Sequence, residues 1–252
     1  MPARTPARPP EPRSFPPQEG KARLPRLQPR SAEGPQQPGP RPSNRCGRLL
    51  PRSDPEKDRP VSYLQHADVL TFHGAFGHPV SREPITPPSD LLAARQAFVA
   101  EEHGELHDAL LKGDRAAIGD ALVDLAYFAH GALVAFGWRY VPKDRFKDMT
   151  LDEAVHKFLA CIPRETARTH NALLAITARC RTAAELYRLP FDAMWAAVHS
   201  ANMAKVWPDG TVHYGEHNKV LKPPGWQAPD IASIVAAHDL AHAEANRKEV
   251  TW

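Results

Sequence analysis

The sequence is poor in cysteine and contains no long apolar run. The 252 residues include three cysteines, Cys46, Cys161 and Cys180, and none of them lies in a Cys-x-x-Cys or Cys/His zinc-finger spacing. This pattern argues against a disulfide framework and against a structural zinc finger. Because no run of 18 apolar residues occurs, we expect no membrane-spanning segment and a cytoplasmic protein.

The first 60 residues have almost no aromatic side chains and no sustained apolar periodicity. They hold 16 of the 27 prolines and carry 13 Lys and Arg against 6 Asp and Glu. Such a segment buries too little apolar surface to offset its conformational entropy, so we predict that residues 1–60 form a disordered, basic, proline-rich tail. A basic arm can contact nucleic acid, but a solvated tail is the simpler interpretation.

Without that tail the chain is mildly acidic. Residues 61–252 hold 19 basic and 23 acidic side chains, a balance of −4, whereas the whole chain carries +3. Because a domain of negative net charge binds nucleic acid poorly, we do not expect a nucleic-acid partner. About 190 residues suffice for one domain with a hydrophobic core, so we predict a single domain over residues 61–252.

Apolar residues in this domain recur at helical spacing, and no alternation of strands and helices occurs. We predict helices at about 61–77, 91–111, 115–137, 151–162, 164–188, 190–205 and 229–249. Ser89 or Asp90 is expected to cap the second of these helices, Asp114 the third and Thr150 the fourth. The stretch between the last two helices is rich in turn residues, with short β-like pieces such as TVHY. The pattern predicts an all-α helical bundle.

Acidic residues crowd the second and third predicted helices. Glu102 and Glu105 are three residues apart and share a helix face, and Asp120 and Asp124 are four apart on the next helix. Since a short turn joins the two helices, they should pack antiparallel and bring both acid pairs to the same height. Carboxylates that face each other inside a bundle are costly unless a cation compensates them, and Mg²⁺ prefers oxygen ligands. A solvated acidic face paired with nearby lysine or arginine remains the alternative.

Three blocks of sequence resemble one known superfamily. EEHGEL at 101–106, followed by DALVDLAYFAHGALVAFG at 120–137, resembles the all-α nucleoside triphosphate pyrophosphohydrolases, which include MazG-type proteins, phosphoribosyl-ATP pyrophosphohydrolases and dimeric dUTPases. FHGAFGHPV at 72–80 and VHSANMAKVWPDGTVHYGEHNKVLKPPGWQAPDI at 198–231 resemble the phosphoribosyl-ATP-pyrophosphohydrolase-like branch that is often found in phages. In the ExxD motif of these proteins the first acid would fall at Ala121, and Asp120 stands one residue earlier.

The resemblance implies a hydrolase of nucleotides. Its reaction would cleave the α–β phosphoanhydride of an NTP, a dNTP or a phosphoribosyl-ATP-like nucleotide into a monophosphate and pyrophosphate. The resemblance also implies four ligands for Mg²⁺, or for Mn²⁺ in its place: Glu102, Glu105, Asp120 and Asp124. Glu101 is the implied base for the attacking water. The substrate phosphates would then be bound by Asn202, Lys205, Lys219 and Lys222.

The length of the chain departs from the resembling proteins. These pass almost directly from the third helix to the block at 198–231, whereas residues 138–187 are inserted here and are expected to be helical. The resemblance implies a homodimer or tetramer with sites at subunit boundaries, which the apolar helix at 115–137 would suit. In the alternative, the insertion folds back over that helix and gives a monomer.

Histidine patterns leave other chemistry open. His103 and His107 are four residues apart, but Gly104 stands where the HExxH zinc motif needs glutamate, so we expect both histidines to flank the acidic face. His-Asp pairs at 107–108 and 238–239 are typical of HD-type metal phosphohydrolases, although further ordered ligands are not evident. A non-catalytic helical module that binds a nucleotide or a partner is the last alternative, because the acidic motif is incomplete at one position.

Overall fold

The computed structural model describes residues 61–141, 146–215 and 220–249. Within these ranges it contains seven helices: α1 Val61–Ala75, α2 Ser89–Lys112, α3 Arg115–Ala135, α4 Leu151–Leu159, α5 Thr166–Leu186, α6 Phe191–Met203 and α7 Ile231–Glu249. The β-like pieces reduce, in the described part of the chain, to one antiparallel bridge between Tyr214 and Val220. The all-α prediction is therefore confirmed, while the predicted tail, residues 1–60, lies outside the described residues.

Local sequence chemistry sets most of the helix ends. Gly113 adopts a left-handed conformation, with φ of 66°, and ends α2. Asp114 then caps α3, because its carboxylate accepts hydrogen bonds from two backbone N–H groups of the first turn at 3.0 and 3.1 Å. Thr150 and Glu153 form a reciprocal capping box at the start of α4. The tight turn at Gly113 makes α2 and α3 antiparallel neighbours, as the sequence predicts.

The start of α2 differs from the prediction. Neither Ser89 nor Asp90 is the cap, because Pro88 holds the N-cap position and its carbonyl accepts the first helical hydrogen bond, from Leu92 N at 2.9 Å. Proline suits this position because its fixed φ leads into a helix and its missing N–H is not needed there. Asp90 lies in the first turn instead, where its negative charge interacts favourably with the helix dipole.

Helix α3 is the centre of the bundle. Fifteen of its 21 residues are buried, and it packs against α1, α2, α5, α6 and α7. By length and composition α3 is apolar enough to cross a membrane, contrary to the expectation from apolar runs, but 78% of its most apolar window is buried within the bundle. Its composition is that of a core helix surrounded on all sides.

The inserted segment, residues 138–187, supplies part of that surrounding. It contains α4 and α5; α5 packs along α3, and α4 packs on both α5 and α2. The Gln96 side chain of α2 donates to the carbonyl oxygens of Phe158, Leu159 and Cys161 at 2.9 to 3.2 Å, and so satisfies the C-terminal end of α4. The insertion therefore covers the central helix within one chain.

Candidate active site

The carboxylates of α2 and α3 converge where the two helices run side by side. The pKa of Glu102 is raised to about 8, first by burial and then by the nearby charges of Asp124, Glu105, Glu101 and Asp120 in that order. Burial, followed by the negative charge of Asp120, raises the pKa of Asp124 to about 7. The two acid pairs thus lie at one height, as the sequence predicts.

Helical spacing explains how the third helix contributes two acids without the expected residue at 121. Ala121 is buried, and Asp120 is half-buried one residue earlier. Asp120 and Asp124 are four residues apart and therefore lie on one face of α3. Burial raises the pKa of Asp120, and the charge of Glu105 on α2 adds to this shift. Asp120 consequently takes part in the acidic group although it stands one residue before the position of the ExxD motif.

One oxygen of this group has no hydrogen-bond partner. Glu102 Oε2 is buried and accepts no hydrogen bond from the described residues. A buried carboxylate oxygen without a donor is costly, and three further carboxylates close by increase the cost. A hard divalent cation with oxygen ligands removes both penalties, so the donor set fits Mg²⁺ or Mn²⁺.

Two lysines lie close enough to Asp124 for their charges to act on it. The positive charges of Lys205 and Lys222 act on Asp124, where they oppose the rise of its pKa. Lys205 follows the end of α6, and its Nζ donates to Asn202 Oδ1 at 2.7 Å. The structure therefore brings three of the predicted phosphate-binding residues to the acidic group. Lys219 lies outside the described residues.

Trp226 holds the C-terminal loop, which carries Lys222, against α6. Its indole Nε1 donates to the carbonyl of Ala201 at 2.7 Å. Lys222 Nζ lies 4.1 Å and Lys205 Nζ 5.7 Å from the centre of the Trp226 ring. Because a cation over an indole face is attracted to it, Trp226 orients both ammonium groups. The Trp226 ring therefore helps to position the two lysines.

Glu101 has a different environment from the other acids. It is exposed on α2, directly before Glu102, and its charge contributes to the raised pKa of Glu102. A residue at this place can contact water and the edge of the acidic group at once.

A buried arginine near the site is not evident from the sequence pattern. Arg95 is 6% exposed, lies two turns before Glu102 on α2, and has its pKa lowered to about 10 by burial. Burial, followed by the charge of Arg95, lowers the pKa of His73 to about 3 and that of His78 to about 4. Gly131 leaves room for this group, since a Cβ there would lie 3.0 Å from His73 Nε2 and 3.3 Å from Arg95 Nη1.

A stacked aromatic pair also adjoins the acids. The rings of Phe98 and Phe128 are 5.0 Å apart with an interplanar angle of 23°. Phe98 lies one turn before Glu102 and Phe128 one turn after Asp124, and both rings are half-buried. The only sequence signal for this pair is its spacing from the acids on two antiparallel helices.

A separate cleft of about 500 Å³ lies between α1 and α6. Asp68 and His199 are among its lining residues, and none of the four acids is. His199 Nδ1 is 3.1 Å from the hydroxyl of Tyr127, and Tyr127 is also hydrogen-bonded to the Asn202 side chain, while burial raises its pKa. Tyr127 and Asn202 therefore form a polar connection from the cleft to Lys205.

The two histidines of α2 do not flank the acidic face. His103 is buried, and its Nε2 lies 2.6 Å from Asp152 Oδ1 of α4, while His107 Nε2 lies 3.2 Å from the same oxygen. The expectation was wrong because His103 follows the apolar stripe of α2, which points away from Glu102 toward the insertion.

The second His-Asp pair has a structural contact instead of an HD-type arrangement. Asp239 of α7 accepts two hydrogen bonds from the Arg115 guanidinium, at 2.5 and 3.1 Å. The next histidine along α7, His242, contacts His238 at 3.1 Å between their Nε2 atoms. The ion pair between Arg115 and Asp239 connects α7 to the start of α3.

Two comparisons with known proteins found similar proteins. Residues 69–146 match the model of the phosphoribosyl-ATP pyrophosphohydrolase family, a segment that contains all four acids. A crystal structure provisionally assigned as an NTP pyrophosphohydrolase from Exiguobacterium sp. 255-15 is 25% identical with a TM-score of 0.43, covering 72% of this chain and 97% of that one. A search of curated proteins gave no match. The likeness to the phosphoribosyl-ATP pyrophosphohydrolase family thus extends over the segment that carries the acids, which is less than half of the chain.

Proposed function

We propose that the protein is a Mg²⁺-dependent hydrolase that cleaves the α–β phosphoanhydride of a nucleoside triphosphate and releases a monophosphate and pyrophosphate. The substrate class includes NTPs, dNTPs and phosphoribosyl-ATP-like nucleotides, and Mn²⁺ is expected to replace Mg²⁺. One observation carries the proposal: Glu102 has a buried oxygen to which no described residue donates a hydrogen bond, and the charges of four other carboxylates act on this group.

In this proposal the acids bind the metal ion and the lysines bind the phosphates of the substrate. Glu102, Glu105, Asp120 and Asp124 would hold the divalent ion, which neutralises the triphosphate and lowers the pKa of the attacking water. A triphosphate carries more negative charge than the acids alone tolerate, so it also needs fixed cations.

The interaction of two lysines with Asp124 supports a role for them in binding the phosphates. Lys205, held by Asn202, and Lys222, held over Trp226, present their ammonium groups beside Asp124. They would orient the phosphates and stabilise the charge that develops on the leaving pyrophosphate. Lys219 is proposed for the same role from its place in the matching loop motif.

Glu101 is proposed as the base that accepts the proton of the attacking water. It is exposed beside Glu102, so water reaches it without displacing a buried group. Because the four acids would be occupied by the metal ion, a fifth carboxylate at the edge of the group is the one available for proton transfer.

The assembly and the compartment of the enzyme are proposals as well. The resemblance favours a homodimer or tetramer, whereas the burial of α3 by the insertion favours a monomer. A cytoplasmic location is consistent with a nucleotide substrate.

A substrate panel tests the proposed reaction. Purified protein is incubated with each NTP and dNTP in Mg²⁺, in Mn²⁺ or in EDTA, and pyrophosphate and orthophosphate are measured separately. The proposal predicts pyrophosphate from at least one nucleotide, dependent on the added metal. Release of orthophosphate alone would place the cleavage at a different bond and contradict it.

A further inference from the structure

The two histidines of α2 and the aspartate of α4 form a side-chain cluster on the face of α2 that points away from the acids. His103 and His107 are one turn apart on α2, and Asp152 lies in the first turn of α4. Their nearest ligand atoms are mutually close: His103 Nε2 to Asp152 Oδ1 is 2.6 Å, His107 Nε2 to the same oxygen is 3.2 Å, and the two Nε2 atoms are 3.3 Å apart.

We infer that this cluster is a second metal site, which takes Zn²⁺ and joins the inserted helix α4 to the catalytic helix α2. Two imidazole nitrogens and one carboxylate oxygen are ligands that zinc accepts, with a fourth position left for water. The three atoms are all within 4.8 Å of one another, so one ion contacts all of them.

The distances suit a tetrahedral ion. With zinc–nitrogen bonds of about 2.0–2.1 Å, tetrahedral ligand atoms lie about 3.3–3.4 Å apart. The separations of 3.3 and 3.2 Å are at or close to this value, and only the one of 2.6 Å between His103 and Asp152 must widen substantially, by about 0.7 Å. The Asp152 side chain is 56% exposed, so it can move by this amount without disturbing the core.

The chemistry of the ligand set separates this site from the acidic one. The carboxylates on the other face of α2 form an all-oxygen set, which magnesium prefers, whereas imidazole suits zinc and other borderline ions. The His107 side chain is 52% exposed, which gives the ion a path from solvent.

The site has a place in the fold as well. Gln96 already fixes the C-terminal end of α4 on α2 by three hydrogen bonds, and the cluster lies at the N-terminal end of the same helix. A zinc ion there would fix both ends of α4. The inserted segment would then be held rigidly beside the helix that carries Glu102 and Glu105.

Zinc binding to the untagged full-length protein tests the inference. Titration of ZnCl₂ by calorimetry is performed with millimolar Mg²⁺ present, so that the acidic group is occupied by magnesium. We expect one zinc ion per chain and a higher melting temperature with zinc. His107→Ala and Asp152→Asn should weaken this binding by more than the roughly 10–100-fold that the loss of a supporting residue costs, and should abolish the melting shift.

Matched variants control for nonspecific binding. Asp108→Asn removes an exposed carboxylate next to His107, and His242→Ala breaks the other histidine pair, whose Nε2 atoms are 3.1 Å apart on α7. Both controls should bind zinc as the wild type does. No zinc binding by the wild type, equal binding by His107→Ala, or loss of binding in His242→Ala would each overturn the inference.

Discussion

At the scale of the residue, burial raises the pKa of acids at the candidate site, most clearly those of Glu102 and Asp124. The acids on α2 and α3 could be predicted from the sequence, because their spacing on two adjacent helices is enough to align them. The burial of Arg95 could not be predicted in the same way, since the room for it beside His73 depends on Gly131 of another helix. A sequence pattern gives the face of a helix but not what lies opposite it.

The buried His73 makes the protein sensitive to acid. Its pKa of about 3 in the folded protein is below the ordinary value of 6.5, so the unfolded chain takes up a proton that the folded chain does not. The stability from this group is therefore present above pH 6.5 and is lost as the pH falls toward 3. Between pH 7.5 and 5.5 the loss is about 1.4 kcal/mol.

Urea denaturation of His73→Gln at these two pH values checks this effect. We expect the difference in the free energy of unfolding between pH 7.5 and 5.5 to shrink by about 1.4 kcal/mol relative to the wild type. The measurement at pH 7.5 alone gives the cost of the substitution itself. If the variant and the wild type had the same pH dependence, the pKa of His73 would not be lowered in the folded protein.

At the scale of the element, local signals predicted where helices end better than which helices touch. The glycine at 113 and the caps at Asp114 and Thr150 act within a few residues, so the sequence contains all that is needed. The docking of α4 on α2 depends on Gln96, which contacts residues more than 60 positions away. The apolar periodicity of α2 and of α4 does not predict such a contact.

The end of α3 depends on a glycine for two reasons. Gly137 has a φ of 67°, and a Cβ there would lie 2.1 Å from the Glu83 carbonyl oxygen. Gly113 has a similar φ of 66°, but a Cβ there would meet nothing within 4 Å. Gly113→Ala should therefore cost only the strain of a left-handed residue, about 1–3 kcal/mol, and Gly137→Ala clearly more. Chemical denaturation of both variants measures the difference. An equal loss in the free energy of unfolding would mean that the Glu83 carbonyl moves away from the new Cβ without cost.

At the scale of the whole molecule, the insertion changes what the central helix needs. The prediction of a homodimer or tetramer depended on an apolar α3 with faces left to cover. In the structure α5 covers one of those faces, and 15 of the 21 residues of α3 are buried within one chain. The sequence indicated that the insertion is helical, but not where it packs, because either a partner or the insertion satisfies the same apolar stripe.

Light scattering distinguishes the two assemblies. The packing of α3 predicts a monomer of 27.9 kDa at micromolar concentration, with full activity. A dimer mass would show that the resemblance, and not the coverage of α3, determines the assembly. Activity is measured on the same fraction, so that an inactive monomer is recognised as a dissociated enzyme.

The central claim is that the carboxylates of α2 and α3 hold the catalytic metal, and pyrophosphate release by Asp124→Asn tests it most directly. The substitution keeps the size of the side chain and removes a charge that burial and Asp120 already disfavour, so the variant should fold at least as stably in EDTA. We predict that Mg²⁺-dependent turnover falls by at least about 10²-fold, because a ligand of the metal is lost. Glu105→Gln should behave alike, and Asp108→Asn, an exposed acid of α2, should retain the wild-type rate. Wild-type turnover by a folded Asp124→Asn variant would contradict the account.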